Sequence, residues 1–173
     1  MINNGKGGGS TITGLNFEKE GDILELLKKQ EGYEVKGNHI FYQEEEVAQS
    51  YRKNALYKYL ESKGVDYKKS LSKKLLPDEA LYVIVNNTLF IIEMKFQKVA
   101  GSVDEKLQTC DFKRKQYAKL MAPLNIEVEY IYILSDWFKK PEYKDVLDYI
   151  ISVGCQYYFK YLPLQKLGLP VPD

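Results

Sequence analysis

The chain has few of the residues that most often carry catalysis. Of its 173 residues only one is histidine, two are cysteine and one is tryptophan. A single histidine, His39, excludes every mechanism that needs two, including zinc hydrolases and HNH-type nucleases. His39 lies in the stretch Gly37–Tyr42 between Asn38 and Ile40, the setting of a surface or strand-edge histidine. Cys110 and Cys155 form no spaced motif, and a reducing cytoplasm is the default location. Long apolar runs are missing too. Stretches such as Leu89–Ile92 fall far short of the roughly 18 residues a membrane span needs. Met1–Ser10 carries Gly, Asn and Lys without an apolar core, so no secretory signal is expected. Nor is there an excess of one charge. Lys and Arg number 25 against 24 Asp and Glu, and a net charge of +1 is not the bulk signature of a nucleic-acid binder. Charge must be read locally instead.

What is present describes an ordinary folded chain. Hydrophobic residues make up 45% and charged residues 28%, and the length suits one domain with a sizeable core. The Gly/Asn/Ser/Thr-rich segment 1–13 reads as a mobile arm, with a single domain over 14–173. Gly9 and Gly14 have the spacing of a phosphate-cradling loop, but Leu15 and Asn16 stand where Lys and Ser/Thr are needed, so a P-loop is rejected.

Periodicity predicts a helix capped by Asn16 with Phe17, Ile23, Leu24 and Leu27 on its apolar face. Tyr33–Tyr42 reads as extended with a turn at Gly37-Asn38, and Glu44–Lys63 as a second helix with an acidic start at Glu44-Glu45-Glu46. Leu81–Val85 and Leu89–Ile92 form a predicted hairpin turning tightly at Asn86-Asn87, its near-continuous apolar arms suited to burial on both faces. Ser102-Val103-Asp104-Glu105 is a capping box opening a helix to about Met121, with Pro123 beyond it. Ile126–Leu134 reads as an interior strand, Glu142–Val153 as a last helix and Tyr157–Leu162 as an aromatic strand. This order implies an α/β (α+β) fold, a central mixed β-sheet flanked by helices.

The stretch that carries chemistry is Leu76-Pro77-Asp78-Glu79-Ala80 followed by Ile92-Glu93-Met94-Lys95-Phe96-Gln97. Asp78 starts one hairpin arm and Glu93 ends the other. Pairing centred on Asn86-Asn87 brings Asp78 and Lys95 together across the hairpin mouth. Glu93, Lys95 and Gln97 are two apart along a strand and so share a face. Two carboxylates and an ammonium gathered at one end suit a hard cation such as Mg²⁺, with Lys95 orienting a water or balancing charge on a phosphate. Metal-assisted phosphodiester hydrolysis fits this set better than acid–base work on a sugar, which needs no interleaved lysine. The bland alternative is a strand-end ion pair between Glu93 and Lys95.

Pro77-Asp78, fourteen intervening residues and then Glu93-Met94-Lys95 resembles the PD-(D/E)xK nuclease motif, on the hairpin where that family carries it. Gly14-Leu15-Asn16-Phe17-Glu18 is similar to the first-helix segment of many such nucleases. Gly101–Leu107 is similar to the segment following the motif in type II restriction endonucleases. The resemblance covers about residues 14–135 and implies a restriction-endonuclease-like core and a Mg²⁺-dependent endonuclease, with Mn²⁺ as substitute. Asp78 and Glu93 would hold the metal with the Met94 carbonyl, Glu18 would be an auxiliary ligand, and Lys95 would position or activate the attacking water. Gln97 would hold water or phosphate, and the products would be 5′-phosphate and 3′-hydroxyl ends. Glu18 has a competing explanation, since an acid in the first turn of a helix is favoured by the macrodipole.

Two basic runs flank these residues. Arg52–Lys74 holds eight basic residues against two acidic, and Lys95–Lys119 seven against three, as a phosphate-tracking cleft requires. Lys73, Lys74, Lys98, Ser102, Lys106, Lys113 and Arg114 are the candidate nucleic-acid contacts. Arg114 falls on the apolar stripe Leu107, Cys110, Tyr117, Met121, so it either pairs with a carboxylate or faces substrate. The expected activity is that of a type II restriction endonuclease on double-stranded DNA, a homodimer because cutting both strands takes two such sites. A companion methyltransferase would accompany it. The alternatives are a nicking subunit beside a larger specificity subunit, a junction-resolvase-like nuclease, and an inert nucleic-acid-binding module.

Overall fold

The computed structural model describes residues 13–19, 21–98 and 103–173. Its centre is a mixed sheet of seven strands. In chain order these are β2 (Tyr33–Lys36), β3 (His39–Tyr42), β4 (Glu45–Ser50), β5 (Glu79–Val83), β6 (Thr88–Lys95), β7 (Glu127–Leu134) and β8 (Gln156–Phe159), and they lie side by side in that same order. Neighbours from β2 to β6 pair antiparallel, whereas β6, β7 and β8 run parallel. β1 (Gly14–Asn16) and β9 (Tyr161–Pro163) form a separate two-stranded sheet. The helices are α1 (Ile23–Lys28), α2 (Asn54–Ser62), α3 (Val103–Leu107), α4 (Cys110–Met121) and α5 (Lys144–Ser152). Among the described residues, no helix is long and apolar enough to cross a membrane.

Each face of the sheet has its own core. Leu89 and Ile91 of β6 with Tyr130, Tyr132 and Leu134 of β7 pack beneath α2, α4 and α5. Phe90, Ile92 and Met94 with Ile131 and Ile133 pack against α1, β1 and the C-terminal segment Leu164–Leu169. Successive side chains of a strand point to opposite faces, so β6 and the second half of β7, from Tyr130 to Leu134, are buried on both faces and lack the alternation of a half-exposed strand. Cys110 and Cys155 are buried free thiols in the first of these cores.

Several expectations from the sequence are corrected. Asn16 does not cap a helix: Gly14–Asn16 is a strand pairing with Tyr161–Pro163, and α1 begins at Ile23 with Asp22 as cap, its carboxylate accepting from the Leu24 N–H at 2.9 Å. A Cβ on Gly14 would lie 2.6 Å from the Leu162 carbonyl oxygen, so the close pairing of β1 with β9 depends on glycine there. The helix expected over Glu44–Lys63 is divided, since Glu45–Ser50 is a strand between β3 and β5 and only Asn54–Ser62 is helical. Gln43 and Glu44, both with positive φ, make the two-residue turn into β4. The helix expected from the Ser102–Glu105 box to Met121 is broken at Gln108-Thr109, and Ser102 lies outside the described residues. Tyr157–Leu162 is shared between two sheets, with Lys160 at φ 57 marking the switch.

Candidate active site at the open end of the hairpin

The turn joining β5 to β6 spans four residues, because Val83 pairs with Thr88 and Ile84–Asn87 lie outside the ladder. Both asparagines are pinned elsewhere. The Asn86 amide donates to the Leu167 carbonyl at 3.2 Å, the Asn87 amide donates to that of Asn125 at 2.8 Å, and Asn87 sits at φ 50. This moves the register from the one expected. The last ladder pair is Glu79 with Ile92, so the next step places Asp78 opposite Glu93 and not opposite Lys95. The two carboxyls are close enough that each shifts the other's affinity for a proton. Lys95, two residues on and on the same face as Glu93, holds its ammonium 3.9 Å from Glu93 Oε2.

Backbone direction adds a third oxygen. The Lys95 carbonyl accepts from the Ser135 N–H at 3.1 Å and therefore points toward β7. The carbonyl one residue earlier, on Met94, then points the other way, toward the end of β5 where Asp78 sits. The Met94 side chain lies on the opposite face and joins the second core. Asp78, Met94 and Lys95 share a cleft of about 550 Å³ with Gly21, Asp22 and Arg52.

The two carboxyls shift each other in opposite directions. Burial, then the hydrogen bond and charge of Asp78, push Glu93 up to about 7 against the opposing charges of Lys95 and Lys113. Burial also pushes the Asp78 carboxyl up, but its hydrogen bonds to Glu93 and Lys53 and the charges of Lys53 and Lys95 outweigh this and hold it below its ordinary value. Two hard carboxylate oxygens with an inward backbone carbonyl are a donor set that suits Mg²⁺, which keeps its remaining positions for water or phosphate. No cluster of three or more His, Cys, Asp or Glu occurs among the described residues, so any cation here rests on this pair.

A second polar cluster lies across the sheet. Glu79, 1% exposed, accepts from the Ser50 hydroxyl at 2.6 Å and from its neighbour's Ala80 N–H at 3.1 Å, while its other carboxylate oxygen has no hydrogen-bond partner. Burial pushes Glu79 up to about 7, opposed by Ser50 and Arg52. The Arg52 guanidinium reaches Asp22 at 3.3 Å and Glu79 at 3.8 Å, and donates to the Asp78 carbonyl at 3.2 Å.

The remaining candidates are spread more widely. Glu18 lies in an exposed bend outside any helix and lines a different cleft. Asp22, four residues on, is the acid from this segment that shares the cleft with Asp78. Gln97 lies just past the end of β6, where its backbone N–H and carbonyl bracket the Ser135 hydroxyl at 3.1 and 3.0 Å. Lys73, Lys98 and Lys106 are exposed, and the Lys113 charge reaches Glu93. Lys74 stacks over Tyr57 and Tyr67, 5.0 and 5.2 Å from the ring centres, beside a cleft of about 790 Å³ along α2. His39 is half exposed and bonded to Glu46 on the next strand, far along the sheet from this site.

Arg114 serves packing. Its guanidinium binds Asp111 at 3.3 Å and donates to the Val153 carbonyl at 3.2 Å, tying α4 to the C-terminal end of α5. Arg114→Ala is expected to lower stability by about 1–2 kcal/mol through the lost hydrogen bonds and stem packing, which denaturant unfolding checks.

Sequence reasoning overlooked Lys53, whose ammonium sits 2.7 Å from Asp78 Oδ1, and Arg52, Asp22, Ser50 and Glu79 behind it. A helix drawn through Ser50–Lys53 hid the chain turn that delivers them. Compared with models of protein families, with curated proteins and with solved structures, the chain matches none.

Proposed function

We propose that the chain is a divalent-cation-dependent DNA endonuclease, a sequence-specific type II restriction enzyme that leaves 5′-phosphate and 3′-hydroxyl ends. The reading rests on one observation above others: the strand register sets Asp78 opposite Glu93 at the hairpin mouth, with the Lys95 ammonium 3.9 Å from Glu93. An isolated strand-end ion pair would not need a second carboxyl facing the buried first one, an arrangement that costs free energy and here is only partly offset by Lys53 and Lys95.

Asp78, Glu93 and the Met94 carbonyl would hold the metal. When bound, Mg²⁺, or Mn²⁺ in its place, supplies Lewis-acid polarisation of the phosphate. Lys95 holds its ammonium on the Glu93 face, where it can donate to the attacking water and balance charge that builds on the phosphate oxygens. Glu93, pushed up to about 7, must lose its proton before both carboxyls are charged, so cation binding strengthens as pH rises through about 7. Lys113, whose charge already reaches Glu93, lies on the helix beside the pair and can accept a neighbouring phosphate. One such site cuts one strand, so double-strand cleavage takes a homodimer or a larger specificity subunit, and a companion methyltransferase would protect host DNA.

The direct test incubates the purified chain with long unmethylated DNA in Mg²⁺ or in EDTA. Discrete fragments in Mg²⁺ alone are the expected result. Nicked circles would point to a nicking subunit, and cleavage confined to branched DNA to a resolvase-like enzyme. DNA binding without cleavage under any divalent cation would leave an inert binding module and sink the proposal.

A further inference from the structure

Lys53 is held in a backbone conformation that side chains avoid. Its φ is 49 and ψ −123, in the region that favours glycine, directly ahead of α2. The surrounding bonds impose this. After β4 ends, the Tyr51 N–H donates to the Ala80 carbonyl at 2.7 Å and the Lys53 N–H to the Pro77 carbonyl at 3.0 Å. The segment Tyr51–Lys53 thus stays zipped beside Pro77–Ala80 and delivers two neighbouring cations to different acids at the start of β5. Arg52 goes to Glu79 and Asp22, and Lys53 to Asp78 Oδ1 at 2.7 Å. The two differ in their surroundings. Arg52 is fixed by three acceptors, whereas Lys53 has a single bond to Asp78 and a side chain 52% exposed. Its ammonium therefore rests on a carboxylate that the proposed cation also needs, on a long stem with water on its free side.

We propose that Lys53 is a substrate-facing lysine whose ammonium rests on Asp78 in the metal-free protein and, once a divalent cation takes that oxygen, turns to bind a DNA phosphate next to the one being cut. The inference deepens the nuclease reading and rests on it. Lys53 competes with the cation for Asp78 while DNA is absent and serves the nucleic acid once the cation is in place. Cation loading and DNA binding are linked through one side chain, so each strengthens the other.

Two opposite effects of the same substitution test it. In Mn²⁺ titrations of the full chain without DNA, read by the loss of the free-ion magnetic resonance signal, Lys53→Met removes a competitor and a repelling charge. Mn²⁺ affinity should rise roughly two- to fivefold. On duplex DNA in Ca²⁺, the same variant should bind several-fold more weakly than wild type, and its dependence on log salt should be shallower by about one phosphate contact, with Lys53→Arg retaining wild-type behaviour. A residue that only shapes the loop would weaken both. Unchanged or weaker Mn²⁺ binding in Lys53→Met, or an unchanged salt dependence on DNA, would overturn the assignment while leaving the nuclease reading intact. If wild type itself takes up no Mn²⁺, and Asp78→Asn behaves identically, the nuclease reading fails and this inference with it.

Discussion

Asp78→Asn and Lys95→Ala are each expected to lower the rate of Mg²⁺-dependent cleavage by at least about a thousandfold while leaving the fold intact. A thousandfold corresponds to roughly 4 kcal/mol of transition-state stabilisation, the scale on which a metal ligand or a charge-stabilising donor acts. The two changes act on different steps. Asp78→Asn keeps shape and removes the anionic oxygen facing the cation, so Mn²⁺ uptake should fall together with the rate. Lys95→Ala removes the ammonium and leaves both carboxylates, so Mn²⁺ uptake should persist or strengthen as the rate collapses. Neither side chain belongs to the core: Asp78 is 36% exposed and Lys95 22%, both at strand ends. Thermal midpoints should stay within a few degrees of wild type, and circular dichroism should be unchanged. Full activity in either variant, measured on the same DNA, would remove that residue from the site.

The hairpin and the gathering of Asp78, Glu93 and Lys95 at its open end were legible in the sequence, and the physical reason is local. Asp78, Glu93 and Lys95 sit on two arms of one hairpin, so their proximity needs only the turn between them, and apolar runs such as Leu89–Ile92 announce strands buried on both faces. Asn86-Asn87 suggested a two-residue turn, but tertiary bonds to Leu167 and Asn125 hold both asparagines in a longer loop, and no local signal encodes those partners. The two-residue shift changed which group faces Asp78, from the lysine to the glutamate. That difference replaces an expected ion pair with two facing carboxyls, of which Glu93 is pushed up to about 7.

The elements that were misread failed for a different reason, the overriding of propensity by context. Glu44–Ser50 is rich in helix formers, yet it is held as a strand between β3 and β5, burying Ala48 and Ser50. The turn into it uses Gln43 and Glu44 at positive φ, where Asn or Gly would have marked a hairpin. Gly14–Asn16 likewise finds its partner almost 150 residues away, in Tyr161–Pro163. Of these, the end of β4 at Ser50 and the chain that follows it meet Glu79 and Asp78, so the sequence exposed the acids and the lysine but concealed the cations, Arg52 and Lys53, that brace them.

Glu93→Gln is expected to abolish cleavage and, at alkaline pH, to make the metal-free protein more stable. A carboxyl whose value rises from 4.5 in the unfolded chain to about 7 in the folded one binds its proton more tightly when folded. Its contribution is complete below 4.5 and is lost as pH climbs through 7. By pH 8 the loss is on the order of 3 kcal/mol, because the folded protein must hold two charged carboxylates in contact beneath Tyr117 and Tyr130. Glutamine keeps the hydrogen bond, its amide donating to Asp78, and adds no charge. The variant and wild type should therefore unfold alike near pH 4.5 and diverge as pH rises, with the variant the more stable. Glu79, raised to about 7 by its own burial, tilts both curves equally and cancels from the difference. Mg²⁺ should restore wild-type stability at pH 8 and leave Glu93→Gln unmoved, since a cation replaces the missing proton only where two carboxylates await it. Parallel pH profiles for the two proteins, measured by denaturant unfolding in EDTA, would show that Glu93 is not the group held protonated, and the strain assigned to this pair would have to lie elsewhere.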